Sequence, residues 1–244
     1  MSALRRRSSL ERGDSGLSLA EMLVTMMVLS LFMIMVTSMF SSVTRAFTRD
    51  RAASDSTRIA SIAMNEVTRV LRSGTEIQVA NAVNDPVFLL ATDESVVLRA
   101  YLDTDSADPR PIVARFEVTA GRNLVEKRWN ANPSSAPYWK FASLPTPPFQ
   151  VAASSWTNPA YERTIAQKIT PAASGAPALF QYYDAAGVRI VPPPAGKLTD
   201  DQLKTIAAVR VTMSVQADLT ERARPVVVRN TVGIPNLGIS RVGP

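Results

Sequence analysis

The chain has 244 residues, enough for one domain of ordinary size plus a further segment. It contains no cysteine and no histidine, which rules out disulfides, thiolate metal sites and any triad or metal centre built on imidazole. The net charge of +6 is modest and is not gathered into a stripe of the kind that binds nucleic acid.

Residues 1–16 are polar and carry Arg5, Arg6, Arg7 and Arg12 against Glu11 and Asp14. Positive charge ahead of an apolar run predicts that this end stays in the cytoplasm. Residues 17–40 are mostly Leu, Met, Val, Ile and Phe. As a helix this run reaches about 36 Å, enough to cross a bilayer. A secretory signal has an apolar region of only about 7–15 residues closed by a small-residue cleavage site. Here the run is longer and no such site closes it. The expected place for the protein is therefore a membrane, as a single pass with the rest of the chain outside. One carboxylate, Glu21, interrupts the run. Acidic groups within a membrane segment are costly and are retained where they serve a function.

Gly16-Leu17-Ser18-Leu19-Ala20-Glu21 resembles the processing site of type IV prepilins and type II secretion pseudopilins. In that family a Gly precedes a hydrophobic residue, and a Glu stands at the fifth mature position of an apolar helix. The resemblance implies cleavage after Gly16 by a prepilin peptidase and N-methylation of the new terminus, Leu17. Leu stands where Phe is commoner. It also implies that Glu21 sets axial register by pairing with an N-terminal amine. That pairing lies either within one subunit or between neighbours, and the family favours neighbours. The implied partners are other pilins or pseudopilins of one filament, the peptidase and methyltransferase, an inner-membrane assembly platform, and membrane lipid before extraction.

The helix is expected to continue to about residue 73. No Pro occurs between Gly16 and Asp85, and Gly74 is the next Gly, placed to cap the end. Ile59, Ile62, Ala63, Val67, Val70 and Leu71 recur at helical spacing and predict one buried face. Asp55 with Arg58 and Glu66 with Arg69 read as solvated pairs three residues apart. Many major pilins carry a kinking Pro at the position that Ser38 occupies here. The methionines Met22, Met26, Met27, Met33, Met35 and Met39 read as adaptable packing surface.

Beyond Gly74 the period shifts to two. Residues 77–80 form a possible short strand. Strands are expected over 87–92 and 96–102, around the turn Asp93-Glu94-Ser95. Two more, over 112–119 and 124–129, flank Ala120-Gly121-Arg122-Asn123, a hairpin signal. Asp103, Asp105 and Asp108 cluster without calcium-loop spacing, so a solvated loop and no metal is expected. Residues 130–178 are rich in Pro, Ala, Ser and Asn and read as a long irregular insertion pinned by Trp139, Phe141, Phe149 and Trp156. Strands follow over 179–183 and 188–191 around Asp184-Ala185-Ala186-Gly187. A short helical turn is expected over 198–203, with Thr199 or Asp200 as its cap. The last two strands lie over 206–217 and 226–232, and in the first of these Val209, Val211, Met213 and Val215 alternate with polar residues. Phe180, Tyr182 or Tyr183, Asp184 and Gly187, followed by Val209-Arg210-Val211-Thr212 and Val226 to Asn230, resemble the C-terminal half of larger minor pilins and J-type pseudopilins.

The expected fold class is α+β, a long N-terminal helix packed on an antiparallel β head. The segments are a leader over 1–16, an apolar half-helix over 17–40, an amphipathic half over 41–73, and a head over 74–244. The expected function is that of a non-enzymatic minor pilin or pseudopilin, with no catalytic residue and no cofactor. It would serve a type IV pilus, a DNA-uptake pseudopilus or a type II secretion pseudopilus. The competing classes are a membrane-anchored enzyme or binding module with a prepilin-like signal, and an adhesin or DNA receptor at a filament tip. Arg110, Arg115, Arg122, Lys127 and Arg128 are the candidate DNA contacts, although acids alternate with them.

Overall fold

Residues 17–73 contain no helix breaker, and a single helix, α1, forms over Leu19–Arg72, continuous through Ser38. The computed structural model describes residues 18–78, 84–102, 110–141, 158–171, 177–193, 196–216 and 224–235. The chain divides into two compact units, 1–48 and 49–244, and each is described by itself.

In the first unit, the described part of α1 buries none of its large apolar side chains. In the second unit the pattern narrows to one face. Ala60, Ala63, Met64, Val67, Val70 and Leu71 enter the core, with Ile59 packed at its border. Ile62, expected on that face, is 61% exposed. It is one residue from Ala63 but about 100° from it around the helix, at the edge of an apolar stripe that Ala60, Ala63 and Val67 already fill.

The strands are β1 (Phe88–Ala91), β2 (Ser95–Ala100), β3 (Ile112–Val118), β4 (Leu124–Asn130), β5 (Tyr161–Ala166), β6 (Phe180–Tyr183), β7 (Arg189–Ile190), β8 (Ala208–Val215) and β9 (Val226–Gly233). All pairings are antiparallel. The head holds two sheets, a five-stranded meander β1 to β5 and a four-stranded sheet ordered β7-β6-β8-β9. One core unites the helix face with both. It takes Val96 and Leu98 of β2, Ala114 and Phe116 of β3, Phe180 and Tyr182 of β6, and Val209, Val211, Met213 and Val215 of β8. The expected alternation along β8 is present apart from Thr212, which is also buried.

The sheets are stitched by polar contacts at their ends. Tyr182 donates its hydroxyl to the Thr92 carbonyl at 2.8 Å, and the Phe180 amide donates to the Asp93 carbonyl at 3.1 Å. Burial and the nearby Asp93 charge hold the Tyr182 hydroxyl well above the ordinary phenol range, so it remains a donor. The Leu198 amide reaches the Ala91 carbonyl at 2.9 Å. The short helix α2 (Asp200–Thr205) follows, with Thr199 and Gln202 forming a complete capping box. Of the two expected caps, Thr199 is the one used.

Several local expectations are corrected. Gly74 is absent from the positive-φ glycines, Gly187 and Gly196, so it is no left-handed cap. It is small because a Cβ there would meet Val87 Cγ1 at 2.9 Å and the Leu71 carbonyl at 3.1 Å. In the 120–123 turn Arg122, not Gly121, takes the left-handed conformation, at φ 59°. Its guanidinium anchors the turn by donating to the Ile169 carbonyl at 2.9 Å and to Glu94 at 2.8 Å. The 184–187 turn is as expected, with Gly187 at φ 77° and Asp184 Oδ1 accepting from the Ala186 and Val188 amides. Ile77 makes only an isolated bridge to Asp85; residues 79 and 80 lie outside the described residues.

The largest correction concerns 130–178. Within that stretch Tyr161–Ala166 forms β5 and pairs with β4, placing Tyr161 opposite Arg128 and Arg163 opposite Glu126. Of the four expected aromatic anchors, Phe141 packs against the cluster of Leu89, Leu90, Val97, Val113 and Trp129, and Trp139 is half-buried. Phe149 and Trp156, like Asp103, Asp105 and Asp108, lie outside the described residues.

The β4–β5 pairing changes what Glu66 does. It is no simple solvated partner of Arg69. Its Oε1 accepts from Arg69 at 2.5 Å, Arg128 at 2.9 Å and Arg163 at 2.6 Å. Arg128 and Arg163 turn their Nε groups to the fully buried Glu126, at 2.6 and 2.9 Å. Two carboxylates and two guanidiniums thus close a ring between α1 and the β4–β5 pair, and both guanidiniums lie over the Tyr161 ring.

Glu126→Ala should destabilise the folded chain by about 1–3 kcal/mol, since it removes the buried acceptor of two Nε groups and leaves their guanidiniums only Glu66 as a carboxylate partner; a urea midpoint measured on the full chain checks this. Burial pushes the Glu66 carboxyl up, but the bond from Arg69 and the charges of Arg69, Arg163 and Arg128 outweigh it and hold it below its ordinary value. A depressed carboxyl contributes stability that is complete above its unfolded pKa and is lost as pH falls through the folded value. Stability should therefore fall on acidification below the ordinary carboxylate range, and Glu66→Gln should flatten that acid slope.

Candidate functional site

The candidate site is the start of α1 and the apolar run that follows. Gly16 and Leu17, and the leader residues Arg5, Arg6, Arg7 and Arg12, lie outside the described residues. Glu21 is described. It occupies the first turn of α1, and its backbone amide donates to Ser18 Oγ at 3.2 Å. Ser18 therefore caps the helix from the position just before Leu19, and Glu21 stands at the third helical position. Ser18-Leu19-Ala20-Glu21 has the S-x-x-E spacing of a capping box, a local sequence signal that overlaps the Gly16–Glu21 spacing. A carboxylate in the first turn also meets the positive end of the helix dipole. Glu21 thus has a local structural role at the helix start alongside any role in assembly.

The run beyond Glu21 has no cover from the described residues. Met22, Met26, Met27, Met33, Met35 and Met39 are all exposed, as are Phe32, Phe40 and Phe47. Continuous apolar exposure around a whole helix exceeds the patches that monomers leave to water, and such surface is covered by lipid or by protein. Among the described residues, one helix is long and apolar enough to cross a membrane. Three hydroxyl side chains along it bond to the helix's own carbonyls. Thr25 and Ser30 donate to carbonyls three residues back, and Thr44 to the carbonyl four residues back.

Of the basic residues considered for DNA, Arg115 and Lys127 are brought together, both on Glu117, while Arg122 and Arg128 stand elsewhere. Arg115 pairs with Glu117, Arg122 with Glu94, Lys127 with Glu117 and Glu162, and Arg128 with Glu66 and Glu126. Arg128 faces α1, whereas Arg115 and Lys127 lie on the other face of the meander, at cross-strand partner positions of β3 and β4. Among the described residues there is no group of three or more acidic side chains placed to hold a metal ion.

Ser18→Ala removes the cap that holds the Glu21 amide. It should weaken the first turn by about 1 kcal/mol, a roughly fivefold acceleration of amide hydrogen exchange at Glu21. Exchange unchanged from the parent chain would show that Ser18 is not the cap in solution.

No protein-family model and no curated protein matches the chain, so the functional reading rests on its own residues.

Proposed function

We propose that this chain is a non-enzymatic minor pilin or pseudopilin, trimmed after Gly16 and assembled through its apolar half-helix into a type IV pilus or related pseudopilus. The observation that carries the proposal is one combination on one helix. Glu21 lies five residues after Gly16, the following run is apolar and exposed all round, and the same helix then becomes one layer of a β head. The exposed run suits two successive environments. Lipid covers it first, and the corresponding helices of neighbouring subunits cover it after extraction.

In this reading Glu21 is the polar register mark. Cleavage after Gly16 creates an amine at Leu17, one helical turn ahead of the carboxylate. Once the helices are packed away from water, an unpaired charge is strongly unfavourable. Subunits then settle at the axial position where amine and carboxylate meet. The partners are the other pilins or pseudopilins of the filament, the prepilin peptidase and methyltransferase, and the inner-membrane assembly platform. The head is held outside the membrane, with the N-terminus in the cytoplasm.

Two variants test this. Gly16→Ala should leave the 16-residue leader attached, and Glu21→Ala should insert into membranes yet fail to enter sheared filaments. The readouts are the mass of the mature N-terminus and the subunit content of the filaments. A mature terminus other than Leu17, or normal incorporation of Glu21→Ala, overturns the proposal.

A further inference from the structure

The charges that bracket the apolar run are spaced to match a bilayer. After Glu21, the next charged residue in the chain is Arg45. Arg45 does not point along the helix toward Arg49. It folds back one turn, and its Nε and Nη2 groups donate to Ser41 Oγ at 3.2 and 2.7 Å. The guanidinium therefore sits at the level of Ser41. Twenty residues separate Ser41 from Glu21, a rise of about 30 Å, which equals the thickness of a bilayer hydrocarbon core. Helical side chains lean toward the N-terminus, so the Glu21 carboxylate is biased outward past its own Cα at the other end of the run.

The guanidinium is also pre-oriented for an anion. A guanidinium has five N–H donors. Ser41 takes the Nε hydrogen and one Nη2 hydrogen, which leaves two N–H donors on the free Nη1–Nη2 edge and a third on Nη1 beside the stem. That edge matches two oxygens of a phosphodiester. Further along α1, Arg58 and Arg69 each meet an acid three residues earlier. Arg45 has a serine four residues earlier and meets no carboxylate among the described residues.

We propose that Arg45, held by Ser41, binds the phosphate of outer-leaflet phospholipids and acts as the stop that sets insertion depth, so that Glu21 lies in the inner headgroup layer. This rests on the reading that α1 crosses a membrane. It changes the place of Glu21 before assembly. The carboxylate is hydrated or headgroup-paired while the chain is in the membrane, and it is withdrawn from water only when subunits pack. The demand for a partner charge then arises at assembly and not at insertion.

The test uses the full chain, which has no native cysteine, so single-cysteine variants report unambiguously. In spheroplasts expressing the chain, a membrane-impermeant maleimide should label Thr44→Cys and Thr48→Cys but not Thr37→Cys. Adding Arg45→Leu should let the helix slide until Arg49 reaches the headgroups, moving the boundary by about one turn. Thr44→Cys then loses labelling while Thr48→Cys keeps it. Arg45→Lys should preserve the boundary. In bilayers of phosphatidylethanolamine and phosphatidylglycerol, solid-state NMR should show a lipid-phosphorus contact to the guanidinium resonance assigned to Arg45 by its absence from Arg45→Lys. A boundary unmoved by Arg45→Leu, or no such phosphorus contact, overturns the proposal. Labelling at every position tested, Thr37→Cys included, would overturn the membrane-spanning reading beneath it. The processing proposal is judged separately, by the mature terminus.

Discussion

One uninterrupted helix must satisfy two different surroundings. Over its first unit α1 is apolar on every side and buries no large apolar side chain among the described residues. Over its second unit it offers a narrow stripe of Ala60, Ala63, Val67 and Leu71 to two sheets. A helix can meet both demands because its backbone hydrogen bonds are internal, so its side chains alone decide what surrounds it. Ser18 at the start and Gly74 past the end mark its limits, one through a hydrogen bond and the other through the space a side chain would need.

Where the helix meets the meander, the contact is both apolar and ionic. The Glu66–Arg128–Glu126–Arg163 ring is closed at both carboxylates, with Tyr161 against the guanidiniums. A buried ion pair gains little over an apolar substitute but is costly to break. The ring therefore contributes specificity of docking more than net stability. It also fixes β5, which ends the meander and carries charges of the sort that discourage unwanted strand pairing at an edge. A comparable pair, Arg99 with Asp85 at 2.8 Å, lies on β2. There burial prevails over the pairing at both partners, lowering the Arg99 guanidinium to about 10 and raising the Asp85 carboxyl.

Much of this architecture was legible because its signals are local. The helix limits came from the absence of breakers, the strands from period-two alternation, and the 184–187 turn from an Asp-x-x-Gly spacing that satisfies its own backbone. The S-x-x-E cap at Ser18 is equally local, but it shares Glu21 with the Gly16–Glu21 spacing, so one residue carries two signals. The strand over 161–166 was hidden by composition. Its Tyr-Glu-Arg-Thr-Ile-Ala alternation is short and lies in a Pro-rich stretch, and its partner is more than thirty residues earlier.

By itself the sequence determined the helix, its change from all-round apolar to one-sided, most of the strands, and the Gly16–Glu21 spacing on which the functional proposal depends. Each of these is set by neighbours within a turn or a strand. Tertiary structure alone decided that the strands divide into two sheets and that Ile62 stays outside the core. It also decided that Gly74 is small for Val87 and that Glu66 serves three arginines instead of one. Those outcomes depend on which surfaces meet across long stretches of chain, and no local period records that.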